Sequence, residues 1–321
     1  MKQTHAFAAV LGFFTCFLTA YAQNPSAPTV TETIAFAIPG IVAAGARVEV
    51  LKQGLRATEG PVATPEGDLL FTETTAHRIW RLDSRGDFTV FMENVDRVNG
   101  LAFDADGRLL GALGTEVAIL LPTRAVLANR AEELPVMRPN DLVADTKGGV
   151  YFTDAPPDPA KGSLPRERAV YYIDPSGRAK QVAKEIEYPN GVGLSPDGNV
   201  LYVANTRGPA VLAFDVTADG SLRNRRDFGV VRGFVRTADG IRGGGDGIAV
   251  DAEGRVYVAT YGGVEVFNRA GEHLGVIPVG IKDGPRNLAF AGTGKKTLYI
   301  VGQGAVWKVA MEAQGIANRA K

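Results

Sequence analysis
The chain has 321 residues, 45% of them hydrophobic, and a formal net charge of +0. That length suits one large domain or two small ones. The charge balance removes any electrostatic reason to expect nucleic acid or an anionic membrane as partner.

The first element is an address. Lys2 supplies positive charge, residues 6–18 an apolar core, and Ala20-Tyr21-Ala22 a small-x-small cleavage site before Gln23. The apolar run is too short for a spanning helix. Residues 1–22 are therefore expected to be a cleaved signal peptide, and the mature protein periplasmic or secreted, off the membrane. The single cysteine, Cys16, lies in this leader. The mature chain then has no disulfide, no thiolate nucleophile and no cysteine-ligated zinc. Residues 23–45 are rich in Pro, Ala and Thr and read as a linker. A strand is expected over 47–51.

From there a repeat runs to the end. Turns centred on Gly67, Gly107, Gly148, Gly198, Gly254 and Gly294 recur every 40 to 56 residues, each preceded and followed by short apolar runs. In the first unit these are Pro61-Val62-Ala63 and the runs 69–72, 78–82 and 88–91. Short runs between Gly, Asp, Asn and Ser are an all-β signature, and no segment after the leader has a helical stripe. The period is that of a four-stranded blade. The chain is thus expected to be an all-β, six-bladed β-propeller over residues 46–310. The last unit shows only three strands, at 287–290, 297–301 and 305–309, and the 47–51 strand is expected to complete it. That closure removes the open sheet edge. Residues 311–321 are expected to be a frayed tail.

Eight residues before each turn glycine stand Glu59, Asn99, Asn140, Asn190, Asp246 and Arg286. All are polar, and each opens an apolar strand. In a propeller the first strand of each blade lines the central channel, so six such residues converge on one mouth. A single Asn or Asp before Gly only initiates a turn. Four in register across blades point to a ligand ring. Two carboxylates and two or three amide oxygens form a hard site, suited to Ca²⁺, Mg²⁺ or Mn²⁺. Zinc fits an open site, though no histidine supports it. A metal there polarises an ester carbonyl, and Asp246 is the better candidate for general base.

The markers Glu59-Gly60-Pro61, Arg138-Pro139-Asn140-Asp141, Tyr188-Pro189-Asn190-Gly191 and Asp246-Gly247-Ile248-Ala249-Val250-Asp251 carry a resemblance. The chain resembles the gluconolactonase, regucalcin and luciferin-regenerating enzyme family over about 47–310. The resemblance implies one divalent metal, most often calcium, held by Glu59, Asn190 and Asp246. It implies Asn140 beside the metal and Arg138 on substrate oxygens. It implies a metal-dependent hydrolase opening sugar lactones, with a small-molecule lactone as partner. A phosphotriester or other ester hydrolase on the same ring, or a non-catalytic propeller binding calcium or carbohydrate, stays open beside it.

A second ring follows from hairpin geometry. Glu73, Asp154, Asn205 and Thr260 lie six or seven residues after a turn glycine, back at the mouth, as rim or supporting groups. Asn99 and Arg286 belong with these less specific positions; Arg286 either meets a substrate carboxylate or turns into a surface pair. His77 and His273 read as solvated turn histidines. The glycine-rich loop 236–245 opens onto Asp246, and Gly243-Gly244-Gly245 within it reads as a flexible rim loop.

Overall fold
Each turn glycine closes a hairpin between the two inner strands of a blade, and all six have φ between +63° and +94°. Side chains with a Cβ disfavour that region, which is why glycine punctuates the repeat. The structure is a computed structural model describing residues 28–132, 134–136, 138–156, 167–238 and 240–317. The expected leader, 1–22, lies outside the described residues.

The strands assemble as six antiparallel sheets in a ring. Blade 1 takes Thr58–Ala63, Leu69–Glu73, Arg78–Leu82 and Phe88–Met92. Blades 2 to 5 repeat this order behind inner strands Leu101–Phe103, Pro139–Ala144, Pro189–Leu194 and Ile248–Val250. Blade 6 runs from Asn287–Ala291 through Thr297–Gly302 and Ala305–Ala310 to Arg47–Lys52. The closing pair has Glu49 opposite Lys308 and Val50 opposite Trp307. No helix among the described residues is long and apolar enough to cross a membrane.

The core is divided among the seams between blades. Val62, Leu70 and Ile79 of blade 1 pack on Leu101, Leu109 and Ala118 of blade 2. Ala63, Leu69 and Phe71, on the other face of blade 1, meet Ala291, Val301 and Val306 of blade 6. A blade is therefore apolar on both faces and cannot bury itself alone. Trp307, fully buried, anchors the blade 5–6 core and donates its indole N–H to the Thr31 carbonyl at 3.4 Å.

Three expectations need correction. From residue 28 the expected linker is packed structure: Thr33–Ile34 adds an edge strand to blade 6, and Ala35, Ile38, Ile41 and Val42 enter the core. Its Ala and Ile content serves burial, which composition alone does not reveal. The expected tail is likewise held to residue 317, with Met311 and Ala313 buried and Asp251 bridged to Gly315. His273 opens the outer strand of blade 5; its side chain is 10% exposed, with Nε2 3.0 Å from the buried Glu265 carboxylate.

A candidate axial site at the channel mouth
Two local devices aim the ring residues. In blades 1, 3 and 4 the ring residue sits at a bulge in the inner strand: register slips by one between Glu59 and Val62, Pro139 and Leu142, and Pro189 and Val192. A bulge frees a residue from the ladder and re-aims its side chain. In blades 2, 5 and 6 the ring residue precedes the strand. Its N–H is fixed to the neighbouring strand, Asn99 to Ala112 O, Asp246 to Ala259 O and Arg286 to Val301 O, at 2.8 Å in each case.

The blades are then tied to each other through the same residues. Thr72 Oγ1 donates to Asn99 O at 2.9 Å, and Thr153 Oγ1 to Asn190 O at 2.7 Å. Gly100, Gly191 and Gly247 N–H groups donate to Asn140 O, Asp246 O and Arg286 O at 2.8–3.0 Å. At the sixth seam Asn287 Nδ2 donates to Glu59 Oε2 at 3.3 Å. These approaches leave no room for a Cβ at Gly191, where one would lie 2.2 Å from Asp246 O.

The mouth opens into a cavity of about 530 Å³ lined by Glu59, Asn99, Asn140, Asn190, Asp246 and Arg286, with Arg138, Tyr188, Tyr261 and Gln303 on its walls. All six ring positions thus border one space. Asn190 is buried, and its side-chain Nδ2 donates to Thr206 Oγ1 at 3.0 Å. That bond orients the amide. Arg286 lines the cavity with Nη1 3.9 Å from Asp246 Oδ2 and bonded to Asp283 O at 3.3 Å, its guanidinium 5.8 Å from the centre of the Tyr261 ring.

Electrostatically the two mouth carboxylates are in conflict. Burial, then the charge of Asp141, push the Glu59 carboxyl up to about 7; bonds from Asn287 and the charge of Arg286 pull back less. Burial, then the charge of Glu59, hold the Asp246 carboxyl well above the ordinary range. Carboxylates raised by burial and by neighbouring acids demand a cation or a proton. The donors are oxygen atoms of Glu59, Asn190 and Asp246, with amides at Asn99 and Asn140 alongside. That set fits a hard divalent ion and contains no soft ligand. Among the described residues no group of three His, Cys, Asp or Glu gathers for a metal; the mouth combines two carboxylates with amides instead.

The second-ring residues hold backbone rather than side-chain amides. Glu73 accepts Arg56 N and Trp80 Nε1, both at 2.8 Å. Asp154 Oδ1 accepts Arg138 N at 2.6 Å, and Asn205 Oδ1 accepts Tyr188 N at 3.0 Å. Both pinned residues lie two before a ring residue, so these acceptors fix the approach to Asn140 and Asn190. Thr260 Oγ1 instead accepts Gly262 N at 3.2 Å inside its own turn. The glycine-rich stretch is no loose rim: Gly243, Gly244 and Gly245 are buried, and Gly244 N donates to Thr206 O at 3.1 Å. Glycine is needed there because the chain threads between the Tyr261 ring and the 205–208 backbone.

The ring reading passed over Asp141 and Asn287. Both follow a ring residue, where the other four blades carry Gly60, Gly100, Gly191 and Gly247. Asp141 is fully buried, bonded to Leu142 N at 3.0 Å and Val192 N at 3.3 Å. Asn287 holds Glu59. Asking which repeats break the glycine at that position would have found both.

A ring of six antiparallel blades whose axial mouth gathers carboxylates, amides and arginines defines a six-bladed β-propeller with a polar axial cavity. The chain belongs to the SMP-30/gluconolactonase/LRE-like family, whose profile matches residues 57–303. It is 26% identical over 296 residues to a gluconolactonase of Zymomonas mobilis, covering 84% of this chain and 82% of that one. Human regucalcin is 26% identical over 263 residues, 78% of this chain and 84% of its own. The solved structure of a gluconolactonase of Xanthomonas campestris superimposes with a TM-score of 0.75 at 26% identity, covering 91% of this chain and 99% of that one.

Proposed function
We propose that the protein hydrolyses lactones of sugars and that a divalent cation, calcium foremost, is its cofactor. The observation that carries this reading is the pair of buried carboxylates Glu59 and Asp246, the charge of Glu59 raising Asp246, beside the Asn190 amide in an open cavity. The gluconolactonase relatives support the reaction class. When bound, the cation supplies Lewis-acid polarisation of the ester carbonyl. Glu59, Asn190 and Asp246 would hold it, with both carboxylates in their ionised form.

The chain's own residues do the rest. Asp246 takes the proton of the attacking water, since its carboxylate borders the space where substrate and water meet. Asn140 and Arg138 present N–H donors to the sugar's oxygens and fix which face of the ring is exposed to water. Asp141 stays below as a buried negative charge that Glu59 and Asp246 both feel. The 1–22 leader supports a location outside the cytoplasm.

The test is a pH-indicator assay on a panel of sugar lactones, with cation removed and restored. Hydrolysis that disappears with chelation and returns with a divalent ion is the expected result. Full activity in excess chelator, with metal removal verified, would overturn the cation's role. Inertness toward every lactone under all cations would overturn the reaction.

A further inference from the structure
Four charged side chains line the cavity: Glu59, Asp246, Arg138 and Arg286. Two are acids and two are bases, so they cancel. A divalent cation held by the acids leaves the pocket net positive, even with the buried Asp141 carboxylate beside it counted. A neutral sugar lactone does nothing for that charge. Burying it opposite a neutral ligand is unfavourable in an enclosed site.

The arginines are also arranged to receive an anion. Arg138 opens blade 3 and Arg286 opens blade 6; three blades apart in a ring of six, they stand on facing walls. Arg286 spends one N–H on Asp283 O at 3.3 Å, and its approach to Asp246 at 3.9 Å is too long for a hydrogen bond. A guanidinium has five N–H donors in a fixed fork, so most remain for a ligand. The Tyr261 ring 5.8 Å away steadies that fork, and the side chain is 30% exposed, within reach of the cavity. The Arg138 guanidinium has no side-chain partner among the described residues, and its backbone is fixed by Asp154.

We infer that the preferred substrate is an anionic lactone, one bearing a carboxylate or phosphate besides its ester, and that Arg286 grips that anionic group while Arg138 holds the sugar's hydroxyls. This rests on the lactone-hydrolase reading. It makes Arg286 a specificity-determining residue.

The experiment compares three lactones of one sugar skeleton, neutral, carboxylate-bearing and phosphorylated, on the cation-loaded wild type, Arg286→Gln and Arg286→Lys. Wild type is expected to favour an anionic lactone by about 10²-fold in kcat/KM, with the better anion identifying the group. Arg286→Gln is expected to erase most of that preference, lowering kcat/KM for the anionic lactones well beyond its effect on the neutral one. Arg286→Lys should restore part of it, keeping charge without the fork. Calorimetry with the open-chain diacid and its monoacid counterpart reads the same preference without turnover, and thermal unfolding of each variant confirms folding. Lactone hydrolysis with equal or better use of the neutral substrate overturns this inference and leaves the lactonase reading standing. No hydrolysis of any lactone, but Arg286-dependent binding of the diacid, overturns the lactonase reading and the substrate assignment that rests on it, leaving Arg286 as an anion-binding residue only. Equal losses on all three substrates in Arg286→Gln assign Arg286 to Asp246 instead and also overturn it.

Discussion
Asp246 shows what a ring residue is for. Its backbone fixes its own blade through N–H to Ala259 and one seam through C=O to Gly191, while its carboxylate faces the cavity. Asp246→Asn keeps the backbone bonds and removes the charge and the base. Turnover is expected to fall about 10²-fold or more, the scale of a lost general base. The melting temperature of the cation-free protein is expected to hold or rise, because an enclosed charge is gone. Steady-state rates and thermal unfolding on one preparation check both. Glu59 gives the matching pH statement. Its carboxyl is raised from 4.5 to about 7, so its contribution to stability is complete below 4.5 and is lost as pH rises through about 7. Without cation, Glu59→Gln should therefore gain on wild type as pH goes from 5 to 8. Cation binding displaces the proton, so affinity should strengthen by up to about tenfold per pH unit below 7. Calorimetric titration at several pH values measures it, and a flat profile contradicts the assignment of Glu59.

Among elements, the hairpins that lead to the mouth are pinned by buried acceptors. Asp154→Ala removes a fully buried carboxylate and leaves the Arg138 N–H, at a part-buried position, without its acceptor. A loss of about 1–3 kcal/mol is expected from the unsatisfied donor, with a weaker KM as Arg138 loses its setting. Denaturant unfolding and kinetics separate the two. Gly244→Ala would put a Cβ 2.5 Å from Gly208 O and 2.6 Å from Asn205 O. Overpacking of this kind costs about 1–3 kcal/mol, and it should open the wall beside Asn190. These elements also mark where sequence patterns stop speaking. Strand periodicity and turn glycines made the blades and ring positions legible, because alternation and positive φ leave a mark in residue type. Glu73, Asp154 and Asn205 were legible as positions but not as roles, since an acceptor for a backbone N–H and a solvated acid share one letter. The run Gly243-Gly244-Gly245 misled, because glycine serves tight packing as readily as mobility.

For the whole molecule, stability is a property of closure. The six seam cores pack in a circle, and the blade 6 edge at Ala305–Ala310 is covered only by Arg47–Lys52. A chain beginning after residue 52 exposes that edge and part of the core around Val48. It is expected to be aggregated rather than a smaller ring, which size-exclusion chromatography and circular dichroism will show. Trp307→Ala, at the same closure, should cost about 3–5 kcal/mol, read by denaturant midpoint. The closing partner was legible because three apolar runs in the last unit demanded a fourth. The packing of 28–45 and 311–317 was not, because those segments fill gaps outside the repeat and obey no period.

The seam bonds have a consequence for descent. Five of the six use a ring residue's main-chain carbonyl as acceptor, which every amino acid supplies. A codon change at Asn99, Asn140, Asn190, Asp246 or Arg286 therefore rewrites what the mouth accepts while the circle stays tied. Substrate is free to drift faster than shape in such a lineage, and two chains that superimpose closely have no obligation to share a metabolite.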